Sequence, residues 1–308
     1  MDPGSVPNWS DGRRLRRSMT ARQGFGRTEA AARRLGRLLW DHAEAHLDHP
    51  LGRGVLRAAS AAALALQYRD RCVVRWHEGV WEYRWPDAVV LSDRPLIVRA
   101  RPAECGRPAG LTLIDDFLWD YVPVAGDVVF DVGAGIGSEL HVLTELVGSE
   151  GRIYAFEPHP KTFRVLQRLC EANGWTNVEP VRAAITDASG TVSISDDFDY
   201  ETNDIFRRTG GYEVACYSLD DFIAAHGIAR IDFLKMNIEG AEALAIRGMN
   251  ATAAITRHVT ICCHDFLATP EKQTKSEVRT WLARERFQVR ERTDNPFVHI
   301  RDYLYGSR

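Results

Sequence analysis

From residue 111 onward, hydrophobic and polar positions follow two alternating patterns. Short β-branched and aromatic runs, typical of buried strands, alternate with stretches in which apolar residues recur every three or four positions, typical of amphipathic helices. The runs predict strands at 128–132, 152–156, 178–184, 191–194, 231–237, 259–263, 287–292 and 297–305. The stretches with an apolar residue every three or four positions predict helices at 113–122, 138–147, 160–173, 219–226, 242–249 and 276–285. This alternation favours a mostly parallel sheet with right-handed crossovers.

The pattern before residue 111 is different. Two helices are predicted at 28–49 and 55–69, followed by a β-hairpin over 72–85. The hairpin aromatics either line a pocket or, as is more usual, pack in a core and pair across the strands. If they are exposed, they also offer a surface for a homodimer. These aromatics are Trp76, Trp81, Tyr83 and Trp85.

Proline and glycine residues between 102 and 110 interrupt both patterns and mark a domain boundary. We therefore divide the chain into a flexible basic arm at 1–26, a helical and β-hairpin extension at 27–110, and a larger domain at 111–308. The arm is rich in arginine and poor in apolar residues, so it is either a solvated tail or a segment that binds an anionic partner. Among such partners we expect an acidic protein rather than nucleic acid.

Composition narrows the class of protein. The net charge is −3 and 45% of residues are hydrophobic, so the overall balance demands neither nucleic acid nor a membrane. No apolar run approaches the roughly 20 residues of a membrane span. The six cysteines lack metal-type spacing, which favours reduced thiols and a cytoplasmic location. The 35 arginines against four lysines indicate a GC-rich bacterial genome.

The predicted strand at 128–132 leads into three alternating glycines, Gly133, Gly135 and Gly137, and a predicted helix follows. Glycine permits positive φ and lets a ligand approach the backbone, and a helix N-terminus favours polar ligands. A dinucleotide-binding fingerprint requires Gly-x-Gly-x-x-Gly, but here the third glycine comes one residue early. The stretch therefore predicts a nucleotide-type binding corner of another kind.

Two acidic residues indicate which ligand this corner binds. Asp131 ends the first strand, where an anion would repel a pyrophosphate but attract the cationic amino group of S-adenosylmethionine (SAM). Glu157 follows the next predicted strand, about 20 residues beyond the glycine loop, where a carboxylate can accept both ribose hydroxyls. Together, the two acids and the glycine loop predict a SAM site.

Several motifs then occur in an order that is found in a known family. They are Asp131-Val-Gly-Ala-Gly-Ile-Gly137, Tyr154-Ala-Phe-Glu-Pro-His-Pro160, Ser218-Leu-Asp-Asp221 and Phe233-Leu-Lys-Met-Asn-Ile-Glu-Gly-Ala-Glu242. On these residues the chain resembles the FkbM family of SAM-dependent methyltransferases between residue 128 and about residue 265. It departs from the family at Asn237, where aspartate is usual, and residues 1–110 carry no part of the resemblance.

The resemblance implies a class I methyltransferase fold, which is a Rossmann-like α/β sheet of seven strands whose last strand is antiparallel. It also implies SAM as cofactor and transfer of a methyl group to a hydroxyl of a small molecule or sugar, as in secondary metabolism or glycan decoration. The cofactor-binding residues expected on these grounds are Asp131, Gly133, Ala134, Gly135, Gly137, Ser138, Glu157, Pro158, Ala183, Ala184 and Asn237.

Methyl transfer to a hydroxyl needs in-line positioning and a group that takes the proton. The candidates follow the strands predicted at 231–237 and 259–263, because ligands of such sheets bind at the carboxyl ends of the strands. His264 is the first choice for the base because the unperturbed histidine pKa is about 6.5, and Glu239 is the second. Both also have purely structural interpretations. The uncharged Asn237 can hydrogen-bond the substrate, and Lys235 lies on the same strand.

Glu239, His264 and Asp265 could in principle bind a metal ion. We expect no metal, because Asn237 removes one charged ligand. Two other functions stay open. N-methylation of a peptide or nucleic acid is one, although the Asn/Asp-Pro-Pro-Tyr/Phe motif of adenine N-methyltransferases is absent after this strand. The other is a SAM-binding protein that does not catalyse and acts through its N-terminal extension.

Overall fold

The computed structural model describes residues 49–68, 71–77, 79–92, 116–196, 203–206, 211–267 and 269–308. The chain divides into two compact units, Met1–Gly110 and Leu111–Arg308. The predicted basic arm at 1–26 lies outside the described residues, as does nearly all of the predicted helix at 28–49. In the described part of the chain, no helix has the length and apolar character needed to cross a bilayer.

The described part of the first unit contains one helix and three strands. Helix α1 (Pro50–Tyr68) begins at a proline, which suits a first turn because the missing N–H has no partner there. Strands β1 (Val73–His77), β2 (Val80–Arg84) and β3 (Val89–Ser92) form an antiparallel sheet. The predicted hairpin is thus confirmed, and a third strand extends it.

The hairpin aromatics form the core of this unit. Trp81, Tyr83 and Trp85 are buried, and the rings of Trp76 and Trp81 lie 5.1 Å apart across β1 and β2. These positions fit the interpretation of the aromatics as core and cross-strand residues rather than as the lining of a pocket. Trp76 is only partly buried, and the expectation of a homodimer stays a prediction.

The described part of the second unit contains ten strands. They are β4 (Val128–Val132), β5 (Arg152–Phe156), β6 (Val178–Val181), β7 (Ala184–Ile185), β8 (Gly190–Ile194), β9 (Tyr212–Tyr217), β10 (Ile231–Met236), β11 (Thr256–Cys262), β12 (Gln288–Glu291) and β13 (Tyr303–Ser307). Seven of them form one sheet in the order β12-β13-β11-β10-β4-β5-β6, in which only β13 runs antiparallel to its neighbours. This is the predicted seven-stranded sheet. Strands β7, β9 and β8 form a separate small sheet.

Besides the helical residues 116–117, seven helices accompany these strands in the part of this unit that the structure describes: α2 (Leu140–Val147), α3 (Pro160–Asn173), α4 (Leu219–His226), α5 (Glu242–Ala245), α6 (Asn250–Ile255), α7 (Lys275–Arg284) and α8 (Val298–Arg301). Local signals set the ends of two of them. Helix α3 ends at Gly174, whose φ of 64° is left-handed. Helix α4 begins after Ser218, whose hydroxyl oxygen accepts the N–H of Asp221 at 3.0 Å.

Strand β10 lies at the centre of the large sheet, and all six of its residues are buried. Its side chains alternate between two apolar layers: Leu234 and Met236 pack with Phe130 in one, and Phe233 packs with Val129 in the other. A parallel strand covered on both faces is mostly apolar, and the two charged residues of β10, Asp232 and Lys235, are paired with Arg257 and Asp131. Beside it, between β4 and β10, the strand order reverses, and ligands of such sheets bind at the carboxyl ends of these strands.

Several predicted elements differ from the structure. The helix predicted at 242–249 is α-helical only over Glu242–Ala245 and continues as a 3₁₀ helix over Ile246–Gly248. Residues 113–115 of the predicted helix 113–122 are not described, and of the remainder only 116–117 are helical. The strand predicted at 178–184 ends at Val181, and Ala184 pairs with β9 instead. The segment 297–305 begins with helix α8 before β13, because a short apolar run fits either element.

Candidate active site

The glycine loop runs across the carboxyl ends of β4 and β5. Gly133, Gly135 and Gly137 all have positive φ, at 81°, 56° and 87°. The N–H groups of Gly133 and Ala134 both donate to the carbonyl oxygen of Phe156, at 3.0 and 2.9 Å. The end of β5 therefore fixes the loop through its backbone.

Gly133 also packs against the segment that follows β10. A Cβ atom at this position would lie 1.9 Å from the carbonyl oxygen of Asn237, so no side chain fits. The N–H of Asn237 donates to the carbonyl oxygen of Val132 at 2.9 Å. The predicted cofactor loop and the predicted catalytic segment thus meet backbone to backbone.

A buried ion pair lies beneath the loop. Asp131 on β4 and Lys235 on β10 are neighbours in register, and Lys235 Nζ lies 2.8 Å from Asp131 Oδ1. Lys235 Nζ also donates to the carbonyl oxygen of Gly133 at 2.8 Å. Burial acts to lower the Lys235 pKa, but the charges of Asp131 and Glu139 outweigh it and raise that pKa above its usual value. Lys235 therefore stays charged and supports the loop from below.

This pair corrects part of the sequence argument. Asp131 was treated as an uncompensated anion that attracts the SAM amino group, yet it is fully buried and Lys235 already neutralises it. Lys235 was a catalytic candidate, and its ammonium is instead committed to Asp131 and the loop carbonyl. In this geometry both residues position the glycine loop.

Glu157 lies at the carboxyl end of β5, as predicted. Its Oε2 accepts the N–H of Gly135 at 3.1 Å, and its Oε1 accepts the N–H of His159 at 2.8 Å. Burial raises the Glu157 pKa to about 7, although the two backbone N–H groups act in the opposite direction. Each carboxylate oxygen keeps lone-pair capacity for a further donor.

The remaining predicted cofactor residues lie around the same corner. Ser138 and Pro158 are partly buried, Ser138 just before α2 and Pro158 next to Glu157. Ala183 is buried after β6, and Ala184 begins β7. These positions follow the carboxyl ends of β4, β5 and β6, where a nucleotide binds in such sheets. Their roles stay predictions.

The segment after β10 contains a tight turn. Glu239 has a φ of 58°, in the left-handed region that costs a non-glycine residue about 1–2 kcal/mol. The next residue, Gly240, has a φ of 103°, and a Cβ atom there would lie 2.5 Å from Lys272 Cγ. The ammonium of Lys272 in turn lies 2.8 Å from Asp204 Oδ2. Neighbouring groups therefore hold Glu239 in a conformation that it does not favour by itself.

His264 follows β11 and lies between two carboxylates. Its Nδ1 is 2.9 Å from Glu242 Oε1, and its Nε2 is 3.3 Å from Glu239 Oε1. Burial acts to lower the His264 pKa, but the carboxylates outweigh it and raise that pKa to about 10. At neutral pH both ring nitrogens of His264 are therefore protonated.

The predicted proximity of Glu239 and His264 is therefore present, but the reason for preferring His264 as the base is not. That preference assumed an unperturbed pKa of about 6.5. An imidazolium has no free lone pair with which to accept a proton. Asn237, two residues before Glu239, joins this group to the glycine loop through its backbone.

Glu242 is a site residue that the sequence analysis missed. Its side chain is fully buried, and its Oε1 accepts the N–H groups of Ile238 and Gly240 at 3.1 and 3.3 Å. Its Oε2 accepts the hydroxyl of Thr274 at 3.2 Å. The only available signal was its place at the end of the Glu-Gly-Ala-Glu string. Glu242 thus holds the turn around Glu239 and the ring of His264 at the same time.

Asp265, which was weighed as a metal ligand, binds backbone groups instead. Its Oδ2 accepts the N–H groups of Thr274 and Lys275, at 2.6 and 3.1 Å, at the start of α7. Within the described ranges, no group of three or more histidine, cysteine, aspartate or glutamate side chains is arranged to hold a metal ion.

A family model and a curated relative that match this chain are both described as methyltransferases. Residues 131–289 match the model of the methyltransferase FkbM domain. A curated relative is the hexuronic acid methyltransferase AglP of Haloferax volcanii, which is 25% identical over 146 residues that cover 45% of this chain. The match spans 56% of that relative's length.

Similar solved structures include the FkbM methyltransferase of Methylobacillus flagellatus KT, at 20% identity and a TM-score of 0.42, covering 59% of this chain and 43% of that one. Another is the fibrillarin of Aeropyrum pernix in complex with natively bound SAM. That structure has 16% identity and a TM-score of 0.41, with 77% of this chain and 98% of that chain covered.

A seven-stranded sheet with one antiparallel strand, together with a glycine loop and an acid after the next strand, is the arrangement of the class I SAM-dependent methyltransferase fold. The family model covers more than half of the 308 residues, so the chain belongs to the FkbM methyltransferase family.

The residues of the corner fit SAM. Glu157 has acceptor capacity for ribose hydroxyls, and three glycines with positive φ leave the loop backbone without side chains at those positions, which allows a ligand to approach it closely. Asp131 Oδ2 is buried and has no hydrogen-bond partner among the described residues. The glycine loop and Glu157 would therefore hold the nucleoside part of the cofactor.

Proposed function

We propose that this methyltransferase transfers a methyl group to a hydroxyl of a sugar or another small molecule. The observation that carries the proposal is the carboxylate of Glu239, which lies partly exposed after β10, next to the segment that contacts the glycine loop. A hydroxyl acceptor loses a proton when it is methylated, and a carboxylate near the cofactor corner can take that proton.

The relative from Haloferax volcanii supports a sugar as the acceptor. Its name states that it acts on a hexuronic acid, which is a sugar with several hydroxyls and one carboxylate. The identity of 25% and the partial coverage make this substrate class a proposal for the present chain.

Exposed apolar side chains beside His264 also support a small acceptor. The ring of Phe266 lies 5.6 Å from that of His264 and 6.2 Å from that of His299. Phe266 is 37% exposed, and Leu267 beside it is 42% exposed. Aromatic side chains with open faces contact the C–H face of a sugar ring or an aromatic group well.

The chemistry is divided between cofactor and protein. Bound SAM supplies an electrophilic methyl group on a sulfonium. The ion pair of Asp131 and Lys235 keeps the glycine loop in place, and Glu157 accepts hydrogen bonds from the ribose. Asn237 is uncharged where the family usually has aspartate, so we assign it a hydrogen bond to the acceptor rather than a proton transfer. Much of the rate comes from in-line positioning in this corner.

N-methylation is the alternative. The sequence after β10 is Asn237-Ile238-Glu239 and lacks the Pro-Pro pair of adenine N-methyltransferases. A nitrogen acceptor also loses a proton, but an amine attacks through its own lone pair, whereas a neutral hydroxyl is a weaker nucleophile and gains more from a carboxylate that takes its proton during the attack. We therefore place the hydroxyl acceptor first.

The test is an acceptor panel with methyl-labelled SAM. The panel contains methyl glucuronide, methyl glucoside, an aromatic glycoside, a lysine- and glutamine-rich peptide and a single-stranded oligonucleotide. We expect label on a glycoside, located at oxygen by NMR of the product, and no label with the Glu157→Ala variant. Label only on the peptide or the oligonucleotide, or an N-methyl product, would contradict the proposal.

We also propose a reducing compartment, the cytoplasm. The four described cysteines of the second unit, Cys170, Cys216, Cys262 and Cys263, are free and buried, and the last two are neighbours in the chain. Buried free thiols are typical of proteins that work where glutathione keeps them reduced. Fractionation of the native host with an antibody to the chain tests this location, and recovery from an oxidising compartment would contradict it.

A further inference from the structure

Three side chains that meet at the ends of β10 and β11 differ sharply in exposure. Glu242 and His264 are 0% and 2% exposed, whereas the side chain of Glu239 is 23% exposed. A group must reach the solvent side of the site to touch an acceptor. Among these three, only Glu239 meets that condition.

The other two side chains form a fixed support behind Glu239. Glu242 is held by the N–H groups of Ile238 and Gly240 and by the hydroxyl of Thr274. Its Oε1 lies 2.9 Å from His264 Nδ1, which leaves Nε2 of the ring directed at Glu239 Oε1, at 3.3 Å. Each ring nitrogen therefore has a carboxylate oxygen within ion-pair distance, and Nε2 is the one beside Glu239.

The backbone adds a second restraint. Glu239 is one of two non-glycine residues with positive φ in the described part of the chain. Strained residues of this kind persist only where their surroundings fix them, and they cluster at functional sites. Here the fixing contacts are the bond from the Gly240 N–H to Glu242 and the side chain of Lys272 packed on Gly240.

We propose that Glu239 is the catalytic base of the methyl transfer and that His264, anchored by Glu242, is a positioning residue that holds the Glu239 carboxylate. This assignment rests on the proposed hydroxyl acceptor. It reverses the order of candidates that an isolated histidine would suggest. It also gives a role to Glu242, which touches no reacting atom.

Methyl transfer from SAM to the acceptor hydroxyl conserves atoms and charge when Glu239 takes the proton. The acceptor oxygen forms a bond to the methyl carbon, and the bond from that carbon to sulfur breaks with its electron pair on sulfur. The hydroxyl proton passes to Glu239. Two carboxylates and one imidazolium carry a net charge of −1 before the step and 0 after it, so no uncompensated charge is created among the buried groups.

A carboxylate is a sufficient base for this step. As the oxygen–carbon bond forms, the oxygen becomes positively charged and its proton becomes strongly acidic. The base therefore does not have to ionise a free alcohol beforehand. Proton transfer to a positioned side chain of this kind contributes about 10²–10⁴-fold to the rate.

The first test is independent of turnover. In ¹⁵N-histidine NMR, assigned by comparison with His264→Gln, the ring should stay doubly protonated from pH 6 to pH 9 and titrate near pH 10. Glu239→Gln and Glu242→Gln should each shift this titration to lower pH. A ring that titrates near pH 6.5 would overturn the positioning role.

The second test is kinetic and uses the glycoside found in the acceptor panel. Glu239→Gln should lower kcat by about 10²–10³-fold with little change in KM, as expected for loss of a general base. Glu271→Gln is the matched control, because it neutralises an exposed carboxylate on the nearby turn Pro270–Lys272 and should leave kcat unchanged.

The pH profile separates the two candidate bases. If His264 only positions Glu239, kcat falls as pH rises through about 10, because the ring loses the proton that holds the carboxylate. If His264 is the base, kcat rises over the same range, and this result would overturn the assignment. Near-wild-type kcat in Glu239→Gln would also overturn it.

Failure of the proposed function has a different signature. If no hydroxyl acceptor in the panel is methylated, the proposed function and the role of Glu239 as base both fall. The NMR titration would still decide whether His264 is a fixed cation. Calorimetry with SAM on Glu239→Gln checks that any loss of rate is not a loss of cofactor binding.

Discussion

Replacing Lys235 should show how much the buried ion pair beneath the glycine loop contributes to the stability of the fold. In Lys235→Met, the side chain keeps its length and apolar stem but loses the ammonium. Asp131 is then left fully buried without the partner that now lies 2.8 Å away. We expect a large loss of stability and a loose glycine loop.

The size of the loss follows from the geometry. Two charges 2.8 Å apart attract by about 6 kcal/mol at an effective dielectric constant of about 20. Desolvation offsets much of this attraction in the intact pair, but removing one partner leaves the other charge buried, which typically costs about 3–5 kcal/mol. For a unit of this size, that corresponds to a fall in Tm of about 6–20 °C.

Urea unfolding at pH 7 of Lys235→Met, Asp131→Asn and the double variant measures the coupling. The double variant should recover much of the loss, because it leaves no buried charge. Lys161→Met, which breaks the exposed pair with Asp196, should cost under about 1 kcal/mol. Additive losses in the double variant, or a loss in Lys235→Met no larger than in Lys161→Met, would refute the reasoning.

Two further predictions concern local geometry. Gly133→Ala should weaken SAM binding and destabilise the fold, because its Cβ atom would meet the Asn237 carbonyl oxygen at 1.9 Å. The control is Gly174→Ala, which also has positive φ but has open space around it and should leave SAM binding unchanged. Calorimetry and thermal melts compare the two variants. Ser218→Ala should cost about 1 kcal/mol in urea unfolding, because the N–H of Asp221 loses its cap at the start of α4, and an unchanged midpoint would contradict this.

The helices that could be predicted to the residue are those with local end signals. Helix α3 matches the predicted range 160–173 because Pro160 suits its first turn and Gly174 its left-handed end. Helix α4 matches 219–226 because Ser218 caps it and Gly227 ends it. These signals lie within a few residues of the element that they determine.

Which strands pair with each other could not be predicted from such local signals. The run 178–184 has a continuous strand pattern, but Val181 belongs to the large sheet and Ala184 pairs with Cys216 in the small one. The partner of Ala184 is more than thirty residues away in the sequence. An apolar pattern indicates that a strand is buried but does not specify what it pairs with.

The same limit applies to the site. Parallel strands bring their carboxyl ends to one edge, so the sequence alone could place Glu157, Glu239 and His264 near the cofactor corner. The protonation of His264 could not be predicted, because it depends on the buried carboxylate of Glu242. Likewise, the pairing of Asp131 with Lys235 depends on the register between β4 and β10.

Direct contacts connect the cofactor corner to the segment after β10 that carries Asn237 and Glu239. The Asp131–Lys235 pair supports Gly133, Gly133 packs on Asn237, and the chain from Asn237 leads to the turn that presents Glu239. A change at any of these points should therefore affect both cofactor affinity and rate.

The most direct measurement for this account is calorimetric titration with S-adenosylhomocysteine, the demethylated product of SAM, at pH 8 and pH 6. Since the Glu157 pKa is about 7, wild-type affinity should fall about tenfold between these values as the carboxylate that we expect to accept hydrogen bonds from the ribose hydroxyls becomes protonated. Glu157→Gln should bind more weakly at pH 8 and show little change with pH. Wild-type affinity in Glu157→Gln, with the same dependence on pH, would contradict the placement of the cofactor in this corner.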